Sequence, residues 1–234
     1  MGLPLQKAPT YKCMLPVSGL EIKYRPFLVK EQNHLLIARE SEDAKQIFQA
    51  IQDLVKAVTE GEVDAAKIPL VDLEYLFLQV RTKSVGETAK VPLMCMIEDC
   101  DGVGYQEIDL TEIEVDTENI LDNKIDIGGG LIIELRAPDS KLVYEVENLD
   151  EAEMIKPILR SCIVRLYDEE NIYEMAEHRD AEIDEFIESL TVGQFEMISA
   201  YFGSMPSLKK EVEYRCEKCK EVSVNTLQGL QSFF

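Results

Sequence analysis

Residues 73–95 read LEYLFLQVRTKSVGETAKVPLMC. Leu73, Leu76, Phe77 and Val80 recur at helical spacing, Lys83-Ser84-Val85-Gly86 stops the pattern, and a strand-like run from Lys90 leads to Cys95. Residues 195–216, FEMISAYFGSMPSLKKEVEYRC, repeat that order. Phe195, Ile198 and Phe202 mark the helix, Gly203 and Pro206 end it, and a strand runs to Cys216. The two stretches differ in length by one residue, and an amphipathic acidic helix pattern precedes each, at 41–59 and 180–190. Identity between them is low, so a duplicated helix–hairpin unit is inferred from pattern.

Both cysteines begin a pair. Cys95 and Cys100 lie in VPLMCMIEDC, and Cys216 and Cys219 lie in EVEYRCEKCKEV. Strand patterns flank both pairs, at 90–97 and 104–110 and at 211–214 and 222–226, which places the cysteines at two hairpin tips. A structural zinc ion takes four ligands in a tetrahedron, usually two from each of two tight turns. Cys216-x-x-Cys219 has that spacing, and Cys95-x4-Cys100 is looser. The four sulfurs share a zinc only if the hairpins pack together; otherwise they are ordinary residues of two unmetallated tips. Cys13 and Cys162 sit in apolar runs and read as core thiols.

Outward from these hairpins the pattern is mixed. KCMLPVSGLEIKYR (12–25) reads as a hairpin turning at Pro16-Val17-Ser18-Gly19, and Pro26 enters a helix. Ser41 is the expected N-cap of a helix whose apolar face carries Phe48, Ile51, Leu54, Val55 and Val58. Residues 111–130 are acidic and irregular, with a strand around 125–127 and a turn or joint at Gly128-Gly129-Gly130; 131–136 is a further strand. Asp150 caps a helix that Pro157 kinks or shortens. Residues 162–167 read equally as strand or helix end, and 168–179 as a charged connection. Ile183, Phe186, Ile187 and Leu190 mark another amphipathic helix, and Thr191 caps the next. The expected class is α+β: two related helix–β-hairpin units with an acidic β-containing middle segment. The segments are 1–116, 117–170 and 171–234. Leu227, Leu230, Phe233 and Phe234 form an apolar tail that either folds back or binds a partner.

The 234-residue chain has a net charge of −21. Residues 98–188 hold 28 acidic and 7 basic residues, and the remainder hold 17 of each, so the charge lies in the middle. Binding to a nucleic-acid backbone needs clustered Lys and Arg, so it is disfavoured. No apolar stretch approaches the ~20 residues of a membrane span. MGLPLQKAPTYK lacks the apolar core of a secretory signal, so synthesis in the cytoplasm is expected, with cysteines as thiols or metal ligands rather than disulfides. His34 and His178 stand apart from any ligand set, and no serine elbow, HExxH or phosphate loop occurs. An enzyme is not expected.

Two segments carry a family resemblance: SGLEIKYRPFLVKEQNHLLIARES (18–41) and IPLVDLEYLFLQVRTKSVGE (68–87). With the cysteine-bearing strand pair, the C-terminal knuckle and the Gly-x-Gln-x-Phe-Phe ending, the chain resembles the baseplate hub assembly proteins of T-even-like contractile-tailed bacteriophages. The resemblance implies a non-enzymatic protein that forms or helps assemble the baseplate hub. It would work in the host cytoplasm during assembly or remain in the virion tail. Its partners would be other hub subunits. The residues themselves offer Leu230, Phe233 and Phe234 as contacts, and the cysteine spacing admits zinc at Cys95, Cys100, Cys216 and Cys219 without requiring it. The alternative is a zinc-ribbon-like adaptor for nucleic acid or transcription machinery, for which Lys209, Lys210, Arg215, Lys218 and Lys220 supply a small basic cluster.

Overall fold

The computed structural model describes residues 7–41, 43–117, 120–146 and 149–229. In chain order the elements begin with β1 (Tyr11–Met14), β2 (Glu21–Tyr24), α1 (Val29–Glu40), α2 (Ala44–Val58) and α3 (Leu70–Ser84). Then come β3 (Thr88–Met94), β4 (Val103–Asp109), β5 (Glu114–Asp116), β6 (Lys124–Asp126), β7 (Ile132–Leu135), α4 (Lys141–Val146) and α5 (Glu151–Cys162). The chain ends with β8 (Ile163–Tyr167), β9 (Ile172–Glu174), α6 (Asp180–Ser189), α7 (Val192–Gly203), β10 (Ser207–Arg215) and β11 (Val222–Gln228). Helices and small antiparallel sheets alternate, which is the expected α+β class.

The chain forms two compact units. One comprises Met1–Ala65, Val71–Asp116 and Pro206–Phe234; the other comprises Ala66–Leu70 and Thr117–Met205. These differ from the three expected segments. Residues 206–234 join the N-terminal part because β10 pairs with β5, Leu208 lying opposite Val115. The helix–break–hairpin order does occur twice, as α3–β3–β4 and α7–β10–β11. Both hairpins belong to the first unit, and α7 belongs to the second.

In the first unit, short polar contacts fix the N-terminal elements. Asp72, fully buried near the start of α3, accepts hydrogen bonds from the backbone N–H of Val17 (2.8 Å) and Ser18 (2.9 Å) in the β1–β2 turn. Gly19, at φ +66°, closes that turn. Arg25 grips Glu31 with both guanidinium nitrogens (2.8 and 2.9 Å), and Glu31 also accepts from Leu28 N at the start of α1. A third contact from Arg25 reaches the Ala57 carbonyl near the end of α2. Phe27 N donates to Ser84 Oγ at the end of α3. The apolar faces lie as the periodicity requires: Phe48, Ile51, Leu54, Val55 and Val58 of α2 and Leu73, Leu76, Phe77 and Val80 of α3 are buried. Each such side chain contributes about 1.5–3 kcal/mol. The α2 cap is Asp43, whose carboxylate accepts from Lys45 N and Gln46 N; Ser41 instead ends α1. Asp43 stands directly before the first helical residue, where a cap must sit.

The second unit is the sheet β6–β7–β8–β9 with α5, α6 and α7 supplying its core. Gly128, Gly129 and Gly130 all have positive φ and make the β6–β7 turn. Residues 162–167 resolve as strand: α5 continues through Pro157 to Cys162, and β8 follows at once. The charged connection contains β9, because Asp168 turns the chain by accepting from Glu170 N and Asn171 N. Ile133, Leu135, Leu159, Ile163, Ile183, Ile187 and Ile198 form the core. The exposed or half-exposed ion pairs around it, Arg160–Asp184 and Arg165–Glu174 among them, are worth about 0–1 kcal/mol each, so the apolar layer dominates.

Replacing Asp72 with Ala should cost about 2–3 kcal/mol, since two partly buried backbone N–H groups lose a charged acceptor. The urea-unfolding midpoint reads this. The Arg25 hydrogen bonds hold the Glu31 carboxyl below its ordinary value of 4.5. This contribution is full above that value and fades as pH falls through the lower folded value. Arg25→Ala should therefore destabilise the protein most at neutral pH, with the gap to the parent narrowing below about pH 4.5.

Candidate metal centre

Strand alternation aims the first cysteine of each pair. Ala89, Val91 and Leu93 point inward from β3, and Cys95 continues the same face beyond the strand end. Val212 and Tyr214 do so in β10, and Cys216 follows. These residues share one apolar cluster with Leu78, Ile108, Leu110, Ile113, Leu208 and Leu227, so the two hairpins meet through their inward faces. The cluster carries the tips together, and with them the cysteines.

All four sulfurs lie within 4.8 Å of one another. Cys95 Sγ is 3.6 Å from Cys219 Sγ, and Cys100 Sγ is 3.7 Å from Cys216 Sγ. Each close pair takes one cysteine from either hairpin. A tetrahedral zinc with Zn–S bonds of about 2.3 Å needs sulfur–sulfur edges of about 3.8 Å. A disulfide needs about 2.05 Å. The spacing therefore fits a tetrathiolate ion site and not two disulfides.

Backbone geometry tightens both tips. Cys95 N donates to Gly102 O (2.8 Å), and Cys216 N donates to Glu221 O (2.9 Å). Asp99 and Lys220, each beside a second cysteine, adopt positive φ of 61° and 67°. Lys218 N points at Cys216 Sγ (3.4 Å). Between the hairpins, Met96 N reaches Ser223 Oγ, and the Lys218 ammonium pairs with Asp101. Close approach requires glycine at two positions. A Cβ on Gly102 would lie 2.4 Å from Cys216 Sγ, and one on Gly104 would lie 2.5 Å from the Tyr214 hydroxyl.

Backbone N–H groups also act on two of these thiols. Those of Cys219 and Lys218, helped by the thiols of Cys100 and Cys219, hold Cys216 down to about 6 against the effect of burial. For Cys95 the Ile97 N–H favours the thiolate, but burial and the three other thiols outweigh it and push it up to about 12. Burial raises Cys162 to about 12 and Cys13 to about 11, in keeping with inert core thiols.

The structure thus brings Cys95, Cys100, Cys216 and Cys219 to one place. Leu230, Phe233 and Phe234 lie outside the described residues. Leu227, read with them as tail, is a buried residue of β11 in the hairpin core, and Gly229 N donates to Leu208 O. Sequence reading missed Gly102 and Gly104, although their spacing of two just after Cys100 marks one face of a strand. The basic cluster at the C-terminal tip is partly neutralised: Lys210 pairs with Glu112 and Lys218 with Asp101.

The two hairpins, distant in sequence, are held tip to tip by their shared apolar cluster. The family model described as T4 bacteriophage base plate protein matches residues 8–234, and the chain belongs to that family. It is a phage baseplate structural protein. Neither the curated proteins nor the solved structures gave a match. Among the described residues no helix is long and apolar enough to cross a membrane.

Gly104→Ala should cost about 1–3 kcal/mol through overpacking against the Tyr214 ring. Gly193→Ala, in α7 with nothing within 4 Å, should stabilise by about 0.5–1 kcal/mol. Chemical unfolding of the two variants beside the parent tests the contrast.

Proposed function

We propose that this protein forms, or helps assemble, the central hub of the phage baseplate through protein–protein contacts and without catalysis. Its partners are other hub subunits, met in the host cytoplasm during assembly or in the tail baseplate of the virion. Family membership over nearly the whole chain supports the baseplate setting.

The observation that carries the contact reading is the outer face of the β3–β4 hairpin. Met94 lies opposite Val103, and Pro92 opposite Tyr105. Met94, Val103 and Tyr105 are 64%, 58% and 67% exposed, and Met96 and Ile97 extend the apolar surface to the tip. Glu98, Asp99, Asp101 and Glu107 rim it. An apolar centre with a charged rim is the anatomy of a protein interface, and a patch of this kind is uncommon on a protein that works alone. The rim favours a subunit carrying basic residues around an apolar patch. The same face suits a protein contact better than nucleic acid, because its carboxylates outnumber its cations and Lys90 lies over the Tyr105 ring.

Co-expression with the phage's hub subunits tests the reading. The parent should co-purify with a hub subunit. Met94→Glu combined with Tyr105→Glu should lose that subunit while keeping the parent's circular dichroism and melting temperature. A chain ending at Gly229, which lacks Leu230, Phe233 and Phe234 but keeps β11, should also lose it. Undiminished capture by both variants would refute the assignment of these surfaces.

A further inference from the structure

We propose that Cys95, Cys100, Cys216 and Cys219 bind one zinc ion as four thiolates, forming a structural clip between the two hairpins. The ion is expected in the isolated protein, so the proposal stands apart from the hub reading.

Three independent features point to an ion. The first is the sulfur geometry: two edges of 3.6 and 3.7 Å and a whole set within 4.8 Å match the tetrahedron that Zn–S bonds of about 2.3 Å impose. The second is a donor behind the sulfurs: the Lys218 N–H, two residues beyond Cys216, points at its Sγ from 3.4 Å. Such donors offset thiolate charge and fix ligand orientation. The third is the space reserved at Gly102, where a Cβ would collide with Cys216 Sγ and crowd Cys100 Sγ at 3.4 Å.

The chemistry of the donor set selects the metal class. Four soft sulfurs in a tetrahedron suit zinc or iron, and they disfavour calcium, magnesium and manganese, which take oxygen ligands. All four coordination positions are filled by protein, which describes a structural site rather than a catalytic one. Zinc is assigned over iron because clipping two hairpins needs no change of oxidation state. Binding couples to deprotonation: the thiols release their protons as the ion enters. The neighbouring Lys218 ammonium offsets part of the excess negative charge, although Asp101 shares it.

The decisive measurement is native mass spectrometry with elemental analysis of the full-length parent, purified without chelator. One zinc per chain is expected. Cys216→Ser combined with Cys219→Ser should lose it, and Cys13→Ser should keep it. Should the double variant fail to fold, cobalt substitution of the parent provides a second reading. Tetrahedral cobalt bands with sulfur-to-metal charge transfer are expected, and Gly102→Ala should alter or abolish them. A strong chelator should open Cys95, Cys100, Cys216 and Cys219 to an alkylating reagent, as read by peptide mapping, and should lower the melting temperature. Metal-free folded protein that takes up no zinc from excess would overturn the proposal. So would a Cys95–Cys219 or Cys100–Cys216 disulfide, or stoichiometric iron in zinc's place.

Discussion

The apolar layer between the β3–β4 hairpin and the β5–β10–β11 sheet is the constraint on which the first unit depends. Leu93, Val91, Ile108, Leu208, Val212 and Tyr214 meet there although Thr117–Met205 separates their segments in the chain. Closing so long a loop costs little beyond a shorter one, since each doubling of length adds only about 0.6 kcal/mol. Burial of several large side chains at about 1.5–3 kcal/mol each outweighs that easily. The second unit is therefore accommodated between β5 and β10 while the first retains its own core. The cysteine cluster is a consequence of this layer, because Cys95 and Cys216 are the next inward positions beyond two strands already packed together.

The segments that carry the family resemblance acquire physical meaning from the contacts around them. Arg25 of the Arg-Pro-Phe turn holds Glu31 and the end of α2, and Phe27 is tied to Ser84 of the Lys-Ser-Val-Gly-Glu break. Asp72, which opens the Asp-Leu-Glu-Tyr-Leu-Phe helix, receives the turn of the first hairpin. These side chains satisfy backbone groups or one another in half-buried places where an unpaired group would cost about 1–3 kcal/mol. They are fold-fixing residues.

The acidic middle is organised rather than merely solvated. Lys124, Arg136, Lys156, Arg160, Arg165 and Arg179 each have a carboxylate partner, so the few cations of this stretch are engaged internally. The surplus of carboxylates remains to repel other acidic surfaces and to attract basic ones.

Sequence alone determined the local elements whose signals are short-range. The period of α2 and α3, the Asp150 and Thr191 caps, the three-glycine turn and both cysteine-tipped hairpins follow from residues within one or two turns of each other. It also located the four cysteines, since knuckle spacing is local. It placed the α2 cap at Ser41 instead of Asp43, and it left β9 inside a charged connection, because a three-residue strand is defined by its partner β8 rather than by its own pattern. Only the tertiary structure decided that β10 joins β5, that residues 206–234 belong with the N-terminal part, and that Leu227 is core. Those outcomes rest on which apolar faces find one another across the intervening Thr117–Met205 stretch. No local pattern records that choice, and the convergence of the four sulfurs depends on it.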